Sequence, residues 1–258
     1  MSVPDPRPAS TTVAGQVVSY SEGSIAARID RLPPGLTQWR LVLLSQFMWG
    51  CVVGLDAVVG RLYPVVWEPQ HFVTPLEYQI LLGFSNGLGP LIGNYTFGYL
   101  SDRFGRKKVM IAGCLCAGIL YIPVAFVKSF PLLLLTITVA AFGVGAAVCL
   151  APTYNTEVSP PAHRSKLMLG GNCLAFGMLG IGGSLLALYT LPVHPGLFVY
   201  ILALIPIVIM VPVIVLFMPE SPRWLESHGR YEQADRIVSR WEALARRKHP
   251  ALPEPDLS

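Results

Sequence analysis

A dense cluster of charge separates two apolar runs in the stretch Gly98-Tyr99-Leu100-Ser101-Asp102-Arg103-Phe104-Gly105-Arg106-Lys107-Lys108. Five of the seven residues at positions 102–108 are charged. A soluble protein rarely places so much charge between two such apolar segments. A short connection between two membrane-spanning helices explains the pattern, because the polar boundary lies at the helix ends. The stretch therefore predicts a protein that crosses a membrane several times.

The composition supports this class of protein. Of the 258 residues, 53% are hydrophobic and only 13% are charged, whereas soluble domains carry about 25% charged residues. All five cysteines lie in apolar runs, which indicates small buried side chains and argues against a zinc site or a disulfide framework. No nucleotide-binding loop, metal-ligand cluster or Ser/His/Asp arrangement is recognisable. The sequence therefore predicts neither an enzyme nor a cofactor.

Six apolar runs of about membrane-spanning length follow a polar N-terminal segment, and helices are expected because lipid cannot satisfy exposed backbone groups. Residues 1–38 are rich in Ser, Thr, Pro and Gly and predict a flexible cytoplasmic tail. The transmembrane bundle is expected over 39–218, and a cytoplasmic linker over 219–258. The predicted spans are Leu41–Tyr63 (ended by Pro64), Gln79–Leu100, Val109–Val127, Pro131–Pro152, Leu167–Leu191 and Leu197–Met218, with bends in the last at Pro206 and Pro212.

The positions of Lys and Arg predict the orientation of the bundle. If the N-terminus is cytoplasmic, 17 of the 19 basic residues fall in cytoplasmic segments, and only Arg61 and Lys128 lie outside. The positive-inside rule then places both termini in the cytoplasm of a multi-pass cell-membrane protein. The net charge of +4 is explained by this orientation and by anionic lipid, not by a nucleic-acid partner.

Two further patterns predict how the chain packs. Small residues recur every four positions at Ser85, Gly89 and Gly93, and again at Ala141, Gly145 and Cys149, which favours close approach of helices within the membrane. Beyond the sixth span, residues 231–248 alternate apolar side chains with Glu and Arg at helical spacing. This pattern predicts an amphipathic helix on the cytoplasmic face.

Three separate motifs carry a resemblance to one family. The first is the stretch 98–108, with the pattern G-x-x-x-D-R-x-G-R-K-K. The second begins at Gly143-x-Gly145 and continues as Pro152-x-Tyr154-x-x-Glu157-x-x-Pro160-x-x-x-Arg164. The third is Pro219-Glu220-Ser221-Pro222-Arg223-Trp224-Leu225 followed by Gly229-Arg230. Together they resemble the sugar-porter branch of the major facilitator superfamily, over about residues 40–245, and organic-ion carriers share parts of the last two.

The resemblance implies an all-α membrane protein whose six helices form two inverted three-helix repeats. Family members have twelve spans in two such halves and work by alternating access. The resemblance therefore implies that this chain is an N-terminal half, which needs a second six-helix half as a partner. Whether it is a fragment, one piece of a split protein or a functional half stays open.

The three motifs also imply a latch at the cytoplasmic side of the bundle. A carboxylate among several cations near helix ends can accept charge-assisted hydrogen bonds and can face a helix N-terminus. Gly98 and Gly105 are expected to permit a close helix approach and a tight turn. The expected latch residues are Gly98, Asp102, Arg103, Gly105, Arg106, Glu157, Arg164, Glu220 and Arg223.

Asp56 is the charged residue predicted to lie inside the membrane, in the run Gly54–Gly60. An ionisable group there indicates a proton relay or a contact with solute. The resemblance agrees with proton coupling through an Asp on the first span, but Ile137 stands where the family carries a partner Arg. An Asp that reaches the outer water or pairs with Arg61 is the alternative, and transport would then be facilitative.

The resemblance implies a small polar solute, and a sugar first of all. Asn172 lies about where sugar porters carry a Gln that binds sugar hydroxyls, and Asn86 and Gln46 are the other candidates, since amides both donate and accept hydrogen bonds. Bonding between helices is the alternative role for each. A carrier of organic acids or cations, and a non-transporting accessory half, remain open as functions.

Overall fold

The computed structural model describes residues 9–13, 16–20, 24–33, 35–55, 57–67 and 69–247, and these ranges are nearly all helical. A small antiparallel hairpin pairs β1 (Ala9–Val13) with β2 (Gln16–Tyr20). The helices are α1 Ser24–Asp30, α2 Leu36–Val53, α3 Ala57–Leu62, α4 Pro75–Gly83, α5 Gly89–Phe104, α6 Arg106–Tyr121, α7 Phe130–Val158, α8 Arg164–Thr190, α9 Pro195–Leu204, α10 Val211–Phe217, α11 Pro222–Ser227 and α12 Tyr231–Arg246.

Four helical stretches in the described part of the chain are long and apolar enough to cross a membrane: Arg106–Phe126, Phe130–Val158, Pro161–Thr190 and Pro195–Phe217. They correspond to the third to sixth predicted spans. The second predicted span is also helical, from Pro75 to Phe104 through a π turn at Phe84–Leu88, but Asn86, Asn94 and several glycines make it less apolar.

The first predicted span differs most from its expected form. Helix α2 ends at Val53, and α3 begins at Ala57. Pro64, which was expected to end the span, lies inside a π turn at Tyr63–Trp67. The helix can continue past Pro64 because this wider turn accommodates a residue that has no N–H to donate. Pro206 similarly lies in a π turn, at Ile205–Met210, where a bend was expected.

Helix α7 is the central element of the bundle and packs against α2, α5 and α6. Its contact with α5 is close enough that a Cβ on Gly93 would lie 2.1 Å from the Phe142 carbonyl oxygen, and a Cβ on Gly145 would lie 2.5 Å from the Pro90 carbonyl oxygen. The stripe of small residues predicted from Gly89, Gly93 and Gly145 therefore forms the α5–α7 contact. Backbones meet there without large side chains between them.

Helices α1, α11 and α12 pack together at one end of the bundle. The turns at Gly105, Ser159 and Pro219 also lie there. We call this the polar end, because the charged residues of these turns and of α12 gather at it. Residues 24–30 were predicted to belong to a flexible tail, but they form α1, whose Ile25 and Ile29 are fully buried. The i, i+4 spacing of these two side chains gives the short helix an apolar face, which the polar composition of the segment concealed.

Candidate functional site

Arg106, the first residue of α6, is the centre of a charge network at the polar end. Its guanidinium donates two hydrogen bonds to the carboxylate of Glu157, from Nε at 3.0 Å and from Nη2 at 2.8 Å. Its Nη1 donates to the Ser101 hydroxyl at 2.7 Å and to the Asp102 carboxylate at 2.5 Å. One side chain thus joins the last turn of α5 to the last turn of α7.

The two carboxylates that accept hydrogen bonds from Arg106 lie in different environments. The Arg106 and Glu157 side chains are 10% and 16% exposed, whereas the Asp102 side chain is 72% exposed. A bidentate pair that is largely shielded from water depends strongly on both partners, because either charge left alone would be poorly solvated. An exposed pair contributes little. Glu157 is therefore the principal partner of Arg106, and Asp102 is a solvent-facing addition.

The charged stretch 98–108, predicted to be a short loop between two spans, is mostly helical. Helix α5 runs to Phe104 and α6 starts at Arg106, so Gly105 alone reverses the chain, with a φ of 104°. A Cβ on Gly105 would lie 2.5 Å from a Glu220 carboxylate oxygen. Only glycine fits a position that combines this φ with so close a neighbour.

Glu220 occupies the N-terminus of α6, directly beside Gly105. Its carboxylate accepts hydrogen bonds from the backbone N–H of Lys107 at 3.0 Å and of Ser221 at 3.1 Å. A carboxylate at a helix N-terminus is stabilised by the unpaired N–H groups and by the helix dipole. The linker after the sixth predicted span is thereby attached to the turn between α5 and α6.

Two aromatic residues that we did not include in the predicted latch strengthen this attachment. The Trp224 indole Nε1 donates to the Asp102 carbonyl at 2.8 Å, and the Tyr154 hydroxyl donates to the Pro219 carbonyl at 3.0 Å. Tyr154 is fully buried. Both residues stand within the quoted motifs, so the signal was present in the sequence, but the motif does not state which carbonyl each one binds.

In the part of the chain that the structure describes, the other predicted latch residues do not take part in the hydrogen bonds around Arg106. Arg164 donates to the Thr156 carbonyl at 2.9 Å. Arg223 pairs with Asp30 of α1. The guanidinium of Arg103 is exposed and lies 5.8 Å from the centre of the neighbouring Phe104 ring. Gly98 does not form the expected close helix contact in the described chain, since a Cβ there would meet no atom within 4 Å.

A second charge cluster, which the sequence reasoning missed, holds α1 on α12. Glu242 of α12 accepts hydrogen bonds from Arg28 and from Arg31, and Arg28 also reaches Asp235. Burial alone would raise the pKa of Glu242, but the hydrogen bonds from the two arginines outweigh it and hold the pKa below its usual value. The Glu226 carboxylate accepts the first N–H groups of α1, from Ile25 at 2.9 Å and from the next residue at 3.2 Å.

The predicted solute-binding residues lie in three different settings. Gln46 on α2 is buried, and its side chain packs against Gly171 of α8. Asn172, the next residue of α8, is half-buried, and the neighbouring Trp49 and Phe176 rings meet edge to face at 4.7 Å. Asn86 is exposed and donates to the Leu82 carbonyl of its own helix. Two of the three amides thus belong to the helices of the α2–α8 contact, where Gln46 meets the residue before Asn172.

Asp56, the proton-coupling candidate, lies outside the described residues. Its neighbour Arg61 on α3 packs its guanidinium against Gly183 of α8. Ile137, where a partner arginine was considered, is fully buried in the apolar core. Within the described ranges no group of three or more His, Cys, Asp or Glu side chains is arranged to hold a metal ion.

Comparison with known proteins identifies relatives of one kind. The family described as "Sugar (and other) transporter" matches residues 77–254. The arabinose-proton symporter of Bacillus subtilis is 33% identical over 163 residues, which are 59% of this chain and 34% of the symporter. The putative polyol transporter 2 of Arabidopsis thaliana is 32% identical over 204 residues, 75% of this chain and 38% of that protein.

A solved structure shows the same fold. The xylose transporter XylE from E. coli, in a partially occluded inward-open conformation, aligns with a TM-score of 0.59 at 24% identity, over 82% of this chain and 57% of XylE. The chain thus spans roughly a third to two fifths of the length of the curated relatives named above. These relatives are transporters, not enzymes, in agreement with the expectation from the sequence.

Proposed function

Because this chain belongs to the sugar (and other) transporter family of the major facilitator superfamily, we propose that it forms the N-terminal six-helix half of a secondary transporter. The transporter carries a small polar solute, a sugar or a polyol, by alternating access. The names of the relatives support this solute class, since arabinose and polyols are both polyhydroxylated.

The observation that carries the proposal is the meeting of three distant motifs at one end of the bundle. Arg106, Glu157 and Glu220 come from different helix ends, and hydrogen bonds of 2.8–3.0 Å join the first two to each other and the third to the start of α6. A network of this kind stabilises one arrangement of helix ends, and it must be remade when those ends move apart. It is therefore suited to act as a latch in a conformational cycle.

Six spans and two cytoplasmic termini are part of the proposal. Helices α2 and α3 with the π turn at Tyr63–Trp67 would supply the first span, and the helical stretch from Pro75 to Phe104 the second, beside the four apolar ones. The polar end carries Arg103, Arg106, Lys107, Lys108 and the arginines of α12. By the positive-inside rule this end faces the cytoplasm.

A second six-helix half is the proposed partner. The relatives are more than twice as long as the part that this chain matches. Large apolar side chains remain exposed along α5 and α8, including Leu91, Tyr95, Leu188 and Tyr189. Lipid would cover part of this surface and the partner half the remainder, because large exposed apolar patches mark membrane or protein contacts.

Solute recognition is proposed for the α2–α8 contact, where Gln46 and Asn172 can both donate and accept hydrogen bonds. The adjacent Trp49 supplies an aromatic ring of the kind that packs on sugars. Asp56 is the proposed proton carrier, because a carboxyl group within a membrane span is costly unless it has a function. If Asp56 instead reaches the outer water, transport is facilitative.

The proposal is tested by uptake of radiolabelled arabinose, xylose, a polyol, an organic cation and an organic acid into proteoliposomes. One preparation contains this chain alone, and the other contains it together with the six-helix C-terminal half of the arabinose-proton symporter. Uptake of a polyol or sugar only in the paired preparation is expected. Uptake of an organic cation or acid in place of sugars, or no uptake by any paired half, would contradict the proposed solute class or the transporter role respectively.

A further inference from the structure

A groove of about 850 Å³ opens at the polar end, between the start of α2, the end of α10 and α12. It is separate from the Arg106–Glu157 network and from the α2–α8 contact. Its walls come from Trp39 of α2, Leu216 and Phe217 of α10, and Trp241 and Leu244 of α12. The groove therefore joins the end of an apolar helix to the apolar face of the amphipathic helix.

Four cations line this groove: Arg40, Lys107, Arg240 and Arg247. No Asp or Glu is among the described residues that line it. Three of the four cations form no ion pair with a described residue and are exposed, and the Lys107 ammonium donates to the Val215 carbonyl at 2.8 Å. The Arg40 guanidinium lies 5.0 Å from the centre of the Phe217 ring, so charge and apolar surface adjoin within the groove.

The opposite arrangement holds on the other side of α12. There, Glu242 and Asp235 neutralise Arg28 of α1 and Arg31, the residue that follows α1. Within the described residues, the chain thus pairs its cations where α1 covers α12, whereas Arg240 and Arg247 have no carboxylate partner where the groove begins. Four cations in one concave site whose described lining residues include no carboxylate create a strong attraction for an anion.

We propose that this groove binds an anionic glycerophospholipid of the cytoplasmic leaflet, with its phosphate among the four cations and an acyl chain along Leu216 and Phe217. Both residues are large, apolar and exposed at the end of α10, where the proposed orientation places the headgroup layer. Cations near a membrane surface attract anionic lipids, and aromatic rings prefer the same layer. The inference rests on the proposed membrane orientation but not on any transported solute.

An acidic peptide fits the groove less well than a phospholipid. A peptide would satisfy the cations, but it would leave Leu216 and Phe217 facing the bilayer without using them. A phosphate diester with an attached acyl chain uses both features of the site. Bound lipid would also hold α12 against the bundle, since Arg40 and Arg240 come from different helices.

The test uses the two tryptophans of the groove as reporters in the full chain. The chain is placed in phosphatidylcholine nanodiscs that contain a small fraction of brominated phosphatidylglycerol or brominated phosphatidylcholine. Stronger quenching of tryptophan fluorescence by the anionic lipid is expected, and the difference should disappear in the Trp39→Phe/Trp241→Phe variant. Equal quenching by the two lipids in the unmodified chain would overturn the proposal.

The Arg40→Gln/Arg240→Gln variant measures the contribution of charge. Each removed cation should lower the preference for phosphatidylglycerol about fivefold, and the pair should lower it about 25-fold. Arg236→Gln is the matched control, because Arg236 is also on α12, is 77% exposed and lies outside the groove. If Arg236→Gln lowered the preference for phosphatidylglycerol as much as the groove variant does, the lipid would be attracted by the whole surface, and the proposed site would be wrong.

Competition separates a lipid site from a phosphate site. Inorganic phosphate, added at the ionic strength of the control buffer, should leave the quenching unchanged, because it lacks the acyl chain. Full displacement by inorganic phosphate would replace the proposal with a site for free phosphate. All these measurements are made without solute, so a failure of sugar uptake would not affect their outcome.

Discussion

Loss of Glu157 should destabilise the bundle far more than loss of Asp102, although both carboxylates bind Arg106. We consider Glu157→Met, Arg106→Met, the double variant of the two, and Asp102→Asn. The first two each remove one partner of a bidentate pair that is mostly shielded from water. The last changes a side chain that is mostly in solvent.

The structure gives the expected magnitudes. Removal of one member of a buried ion pair costs about 3–5 kcal/mol because the other charge is left unpaired. Arg106 and Glu157 are each slightly exposed, so water partly solvates the remaining charge and the cost falls to about 2–3 kcal/mol. The double variant leaves neither of these charges behind and should cost less than the sum by about 2 kcal/mol. Asp102→Asn should cost below about 1 kcal/mol.

The measurement is the free energy of unfolding in detergent micelles, from titration with SDS and followed by tryptophan fluorescence. Circular dichroism checks that each variant is helical before the titration. If Asp102→Asn costs as much as Glu157→Met, or if the double variant costs the full sum, then the burial-based ranking of the two carboxylates is wrong.

Three further predictions concern other parts of the chain. Asp56→Asn should abolish proton-driven uptake by the assembled transporter while exchange of solute continues, and unchanged uphill uptake would refute the relay role. Gly105→Ala should destabilise the turn by more than about 1 kcal/mol, because of its positive φ and the nearby Glu220; Gly98→Ala, which meets open space, is the control for SDS unfolding. Because the folded-state pKa of Glu242 is lowered, its pairing with Arg28 stabilises the α1–α12 contact above about pH 4.5 and weakens as the pH falls through the lower pKa. Hydrogen exchange in α1 should become faster upon acidification. In the Glu242→Gln control, which lacks the titrating carboxylate, acidification should leave the exchange rate unchanged.

Much of the charge network was foreseeable from the motifs. Asp102, Arg106 and Glu157 were expected to act together, and the structure brings them within hydrogen-bonding distance. The length of the turn was not foreseeable, because Asp102 and Arg103 read as a loop from their charge and yet belong to α5. Charged residues at helix ends can stay helical when the first residue beyond the helix, here Gly105, reverses the chain.

The α1 contact shows what local reasoning omits. Arg28 and Glu242 are separated by 214 positions, and neither residue reveals its partner through composition or periodicity. Residues 1–38 are polar on average, so the two buried isoleucines at positions 25 and 29 were hidden within a segment read as a tail. Pairing over such a distance is decided when the helices pack.

The sequence by itself determined the membrane class, the helical state, the stripes of small residues and the family. These follow from hydrophobicity, residue size and short motifs, which act within one helix or one turn. Only the tertiary structure decided that Glu157 is the shielded partner of Arg106, that Glu220 caps α6, and that four cations share a groove whose described lining includes no carboxylate. The physical reason is that burial and charge pairing depend on atoms brought together across the chain, and the free energy of an ion depends on those neighbours and on its distance from water.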